Sequence, residues 1–207
     1  MNKFQQRARA LRMHLLIFSI AVVLPLKATA KEELALGSEH APVTLIEFGS
    51  LACDYCIRFH HEVLPQISSQ YIETGLVRFV FRNFPTSENA HRGAIAARCA
   101  GGQYYEMLDT LFMKVGQWLY SSDVDAALVD QATSIGLNEK PFLNCLNDTN
   151  QYIAVSKEQL DAKSRYSVLG TPSFLINSKL VRGKKSYAEM EILLNEALSS
   201  VRDEKSK

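Results

Sequence analysis

The chain has 207 residues with 23 basic and 22 acidic side chains, a formal net charge of +1, and 47% hydrophobic residues. That length and apolar content suit one domain with a real core. The near-neutral balance excludes the basic footprint expected of a nucleic-acid-binding protein.

Residues 1–30 read as a segment outside the fold. Lys3, Arg7, Arg9 and Arg12 precede the apolar run Leu15 to Leu26, and Ala28-Thr29-Ala30 is a small-residue cleavage site. The pattern is that of a secretory signal peptide cut after Ala30. The apolar run is short for a bilayer span, which disfavours the alternative of an uncleaved anchor. Residues 1–30 hold five of the positive charges and no acid, so the mature part, 31–207, carries 18 against 22, a net −4. Its ends, Lys31 to Glu39 and Val201 to Lys207, are polar and are expected to be loose.

Val43 to Phe48 is a short, largely apolar run, as expected of a strand buried on both faces. It leads into Gly49-Ser50-Leu51-Ala52-Cys53-Asp54-Tyr55-Cys56. A helical pattern then carries Phe59, Val63, Leu64, Ile67 and Tyr71, with Pro65 expected to kink it and Gly75 to stop it. Leu76 to Phe84 is a second strand, so strand, helix and strand form a βαβ unit with parallel strands.

About eighty residues of helix follow without a strand, and they read as an insertion over about 87–166. Ser87 caps a helix running to Gly101-Gly102. Gln103 to about Gln117 carries Met107, Leu108, Leu111 and Phe112 at helical spacing. Ser122-Asp123-Val124-Asp125 opens another helix, closed by Gly136. A short one contains Phe142, Cys145 and Leu146, and a longer one spans roughly Asn150 to Tyr166. The strand Ser173 to Ile176 then turns at Asn177-Ser178 into Lys179 to Arg182, an antiparallel hairpin. Ser186-Tyr187-Ala188-Glu189 is a capping box that opens the last helix.

The chemistry sits at Cys53 and Cys56. Two cysteines three positions apart at the first turn of a helix can reach each other. The upstream one lies where unpaired N–H groups and the helix dipole favour a thiolate. The stretch reads as a dithiol–disulfide centre. The competing reading is a structural disulfide or a metal site, since Cys56 and His60 are i, i+4 on one helix and Cys99 or Cys145 could complete a zinc set. If Cys53 pairs with Cys56, then Cys99 is left with Cys145. That second disulfide would stabilise by roughly 4 kcal/mol in the chain-entropy model. Its alternative is two unpaired core cysteines. His60 and His61 read as helix-surface residues, and Trp118 as core.

The order of elements resembles a thioredoxin-like fold with a helical insertion, an α/β architecture. The motifs Ala41 to Phe48, Cys53-x-x-Cys56, Phe59-His60, Val77 to Pro85, Ala96 to Ala100, Gly136-Leu137 and Gly170 to Phe174 resemble the exported thiol–disulfide oxidoreductases of the DsbA family. The resemblance covers about residues 37–198. It implies an enzyme that passes its Cys53–Cys56 disulfide to exported polypeptides in the periplasm or envelope, its partners being reduced or misoxidised exported chains. A membrane redox partner would reoxidise it, and it would act as a monomer, with no metal or organic cofactor. Cys53 would be the attacking and leaving thiolate and Cys56 its buried partner. Thr171 and a cis Pro172 would face the disulfide. Glu47 would be a buried acid that relays a proton from Cys56. Two rivals are a reductase or isomerase of the same fold, and a non-catalytic metal-binding or chaperone-like envelope protein. Asp54, next to Cys53, is expected to raise its pKa by Coulomb repulsion and so to weaken the protein as an oxidant.

Overall fold

The computed structural model describes residues 34–206, so the leader read at residues 1–30 lies outside the described residues. Four strands form one sheet in the order β2-β1-β3-β4. β1 (Val43–Gly49) is central and pairs in parallel with β2 (Val77–Asn83), as the βαβ reading requires. On its other side it pairs antiparallel with β3 (Ser173–Ile176), which continues through the Asn177 turn into β4 (Lys179–Arg182). Asn177 adopts a positive φ of 51° there, a conformation that asparagine tolerates better than most residues.

Between β1 and β2 the helix is not regular. α1 (Asp54–Arg58) passes into a π-helical turn, Phe59–Val63, then α2 (Leu64–Ile67), then a second π turn, Ser68–Ile72. Pro65 stands at the start of α2, where it has no N–H to give to the preceding turn. A wide turn just before it accommodates the missing bond, so the expected kink takes the form of a π bulge. Gly75, with φ of 76°, ends the segment.

The stretch between β2 and β3 is wholly helical. α3 (Glu88–Cys99) starts at Ser87, whose Oγ accepts from Ala90 N at 3.2 Å. One expected helix is in fact two, α4 (Tyr104–Met113) and α5 (Val115–Trp118), broken at Lys114. The break folds Trp118 back so that its Nε1 donates to the Leu111 carbonyl at 2.9 Å, and the ring is fully buried. α6 (Val124–Ser134), α7 (Glu139–Leu146) and α8 (Thr149–Tyr166) complete the layer. Cys99, at the end of α3, is disulfide-bonded to Cys145 in α7.

Both ends are better anchored than their polarity implies. Leu36 makes an antiparallel bridge to Phe79, with two backbone hydrogen bonds of 2.9 Å. The last helix, α9 (Tyr187–Lys205), carries the capping box on Ser186 and Glu189 and buries Met190, Leu194 and Leu198. It therefore extends through most of the tail that was expected to be loose. Among the described residues no helix is long and apolar enough to cross a membrane.

Candidate active site

The site forms where the C-terminal end of β1 meets the N-terminus of α1. Ser50 fastens this turn: its Oγ accepts from the Ala52 and Thr86 amides at 3.2 and 3.1 Å and pairs with Thr86 Oγ1 at 2.9 Å. Cys53 is the N-cap residue of α1, in extended conformation, and its side chain does not cap the helix. Its sulfur is therefore available, beside the free amides of the first turn. Cys56, one turn deeper, is buried. Both are free thiols, so the structure shows the reduced pair.

The two sulfurs differ sharply in acidity. The Cys53 thiol is drawn from 9.0 down to about 6. The hydrogen bond from the Cys56 thiol contributes most, against an opposing cost of burial; the Thr171 side chain and the Cys56 and Tyr55 amides add to the lowering. Cys56 moves the other way, far above the ordinary thiol range. Burial is the main cause, followed by its bond to the Cys53 sulfur and the nearby charge of Glu47. Asp54, beside Cys53, is exposed to solvent, while the groups that act most on the acidity of Cys53 are Cys56, Thr171 and the backbone amides. Those donors meet the sulfur itself.

Thr171 and Pro172 come to this site from 118 residues away in the chain. The Thr171–Pro172 peptide bond is cis, and the Thr171 carbonyl oxygen lies 3.5 Å from Cys53 Sγ. The loop after β4 adjoins them, since Gly183 N donates to the Pro172 carbonyl at 2.9 Å. From that loop Lys184 Nζ lies 5.4 Å above the ring of Tyr55. Tyr55, two residues after Cys53, and Leu169, two residues before Thr171, are both exposed to solvent.

Beneath the pair is Glu47, fully buried in β1 between Phe81 of β2 and Phe174 of β3. Its Oε2 is hydrogen-bonded to His60 Nε2 at 2.9 Å. Gly49 leaves room for this carboxylate, because a Cβ there would lie 2.9 Å from Glu47 Oε1. His60 is not on the surface as its polarity implied. It is buried in the first π turn, stacked on Phe112 with centroids 3.7 Å apart and edged by Phe81 and Phe79. The sequence did carry the signal: Cys56, Phe59, His60, Val63 and Leu64 recur at i, i+3, i+4, i+7 and i+8, one helical stripe. His61, the next residue, bonds the Phe112 carbonyl at 3.1 Å. Cys99 and Cys145 are bonded to each other, so they do not join Cys56 and His60 as ligands. Among the described residues no group of three or more His, Cys, Asp or Glu side chains could hold a metal ion.

A family model described as "Thioredoxin" (Thioredoxin_4) matches residues 29–196. The chain belongs to this thioredoxin family. A Rickettsia prowazekii protein named as a protein-disulfide oxidoreductase is 27% identical over 161 residues, covering 75% of this chain and 59% of that one. Disulfide bond formation protein D of Bacillus subtilis is 24% identical over 173 residues, covering 81% and 78%. The chain thus spans little more than half the length of the Rickettsia relative. Among solved structures, Wolbachia pipientis alpha-DsbA1 superposes with a TM-score of 0.76 at 24% identity, covering 82% of this chain and 92% of that chain. The fold of this family member is therefore the DsbA-like thioredoxin fold, with the helical layer between β2 and β3 included.

Proposed function

We propose that the chain is a thiol–disulfide oxidoreductase that donates its Cys53–Cys56 disulfide to exported polypeptides. The observation that carries this is the contrast between the two sulfurs, with Cys53 at about 6 and Cys56 far above the thiol range. A client thiolate attacks Cys53 Sγ. The Cys53–Cys56 bond breaks, and Cys56 leaves with the electron pair and takes up a proton. A second client thiolate attacks the client sulfur of the mixed disulfide, and Cys53 leaves as a stable thiolate. Two electrons pass from client to protein, and a client disulfide is formed. A stabilised leaving thiolate favours the reduced protein, which is the thermodynamic meaning of an oxidant.

In this reading Thr171 and Pro172 hold the client chain beside Cys53, and Glu47 handles the Cys56 proton. The Cys99–Cys145 disulfide staples the helical layer. The leader at residues 1–30 would deliver the protein to the periplasm or envelope. A membrane redox partner would reoxidise it, and it would work as a monomer. The names of the Rickettsia and Bacillus relatives support disulfide chemistry in general.

The test is the reduction potential of the purified protein, by equilibration with glutathione. A value near about −120 mV, that of a strong oxidant, supports donation. A value near about −270 mV, that of thioredoxin, makes the protein a reductase with the same chemistry in the opposite direction.

A further inference from the structure

The relay assigned to Glu47 leaves a question of charge. A fully buried carboxylate costs several kcal/mol unless a partner compensates it. The basic group bonded to it is His60, itself buried, with the two side chains 2.9 Å apart. The remaining polar atoms of both, Glu47 Oε1 and His60 Nδ1, are buried without a hydrogen-bond partner. Aromatic rings close the place: Phe112 stacks on the imidazole, while Phe59 and Phe81 meet it edge-on. Two other titratable groups face the couple. Cys56 on α1 feels the charge of Glu47, and Asp109 on α4 feels that of His60. The residues of β2 that line it, Phe79 and Phe81, carry no charge.

A histidine differs here from a permanently charged partner. With a carboxylate it forms a unit that is neutral when it holds one proton, whichever residue bears it. Holding none or two leaves a net charge in an apolar cage, which burial disfavours. We propose that Glu47 and His60 act as one unit holding a single shared proton, and that His60 is a positioning residue that keeps Glu47 charge-compensated through the redox cycle. When Cys56 leaves as a thiolate it takes the shared proton. The couple is left as a Glu47 carboxylate accepting from neutral His60, and it refills with one proton from solvent. Reduction above pH 6 thus takes up two electrons and one net proton. This inference rests on the thiol–disulfide reading of the site.

The pH dependence of the reduction potential tests it. Each proton taken up on reduction changes the equilibrium tenfold per pH unit, about 30 mV for a two-electron couple. Wild type should show the one-proton slope between pH 6.5 and 8.5. In His60→Gln the amide still donates to Glu47 but cannot hold the proton. Glu47 then binds a proton more tightly when the Cys53 thiolate is present, so the slope should steepen toward two protons. His60→Leu should do the same, and Glu47→Gln/His60→Gln should return to one. A His60→Gln slope equal to wild type would overturn the proposal, as would a double variant as steep as the single one. If wild type shows no two-electron potential at all, the disulfide reading falls and this inference with it. A measurable potential with an unchanged slope removes only the role of His60.

Discussion

The sulfur of Cys53 and the carbonyl oxygen of Thr171 lie 3.5 Å apart, though 118 positions separate the residues in sequence. The same threonine lowers the Cys53 pKa through its side chain, while its carbonyl can accept from the neutral thiol. The loop before β3 therefore contributes to the acidity of Cys53 as well as to the surface around it. Removing the hydroxyl while keeping the shape, as Thr171→Val, should raise the Cys53 pKa from about 6. One hydrogen bond to a charged, half-exposed sulfur is worth about 1 kcal/mol, so the rise should be roughly 0.7 of a pH unit. The rate of Cys53 alkylation by iodoacetamide, followed from pH 4 to 9, reads this midpoint directly. An unmoved midpoint would remove the hydroxyl from the account.

Asp54 is the counterpart on the other side of Cys53. Because its carboxylate is exposed and the donors to the sulfur are Cys56, Thr171 and two amides, Asp54→His should move the alkylation midpoint less than Thr171→Val does. A larger drop in Asp54→His would restore the Coulomb argument from sequence.

Both residues show what a sequence does and does not display. The strands, the caps at Ser87 and Ser186, and the cysteine pair were legible because local chemistry determines them. Asp54 drew the Coulomb argument because it is next to Cys53 in the chain, but adjacency does not display that the fold leaves it exposed to solvent. His60 looked like a surface residue because imidazoles usually are, yet its place on the apolar stripe after Cys56 overrides its polarity. The break at Lys114 is marked in sequence only by Gly116 two residues on, and a lone glycine does not tell a break from a weak point in one helix; here the break accompanies the packing of Trp118. The tie between Leu36 and Phe79 is a pairing across sequence that no local pattern encodes.

The depressed Cys53 pKa also makes the reduced protein's stability depend on pH. The folded value, about 6, lies below the ordinary 9.0, so the folded state holds the thiolate where an unfolded chain holds a thiol. The contribution is fully present above pH 9 and is lost as pH falls toward 6. With Cys53 only half buried, solvent screening leaves about 2 kcal/mol of the full linkage figure. Denaturant unfolding of the reduced protein should show wild type gaining on Cys53→Ser by that amount between pH 6 and 9. A gap that does not change with pH would mean that the thiolate is not specifically stabilised in the fold.

The active-site turn and the helical layer meet at Gly93. A Cβ placed there would lie 2.6 Å from Trp118 Cη2 and 2.9 Å from Leu51 Cδ1. Gly93 is an α3 residue, Leu51 belongs to the turn before Cys53, and Trp118 closes α5, so one missing methyl group lets three segments touch. In an exposed helix, Gly→Ala would stabilise by roughly 1 kcal/mol through propensity alone. At this position overpacking should win, since forcing a fully buried indole and Leu51 aside costs about 1–3 kcal/mol. Gly93→Ala should therefore destabilise by up to about 2 kcal/mol net, read by the denaturant midpoint. Because Leu51 is two residues from Cys53, the variant should also shift the Cys53 alkylation midpoint. A stabilised Gly93→Ala with an unchanged midpoint would show that the turn and the helical layer are independent.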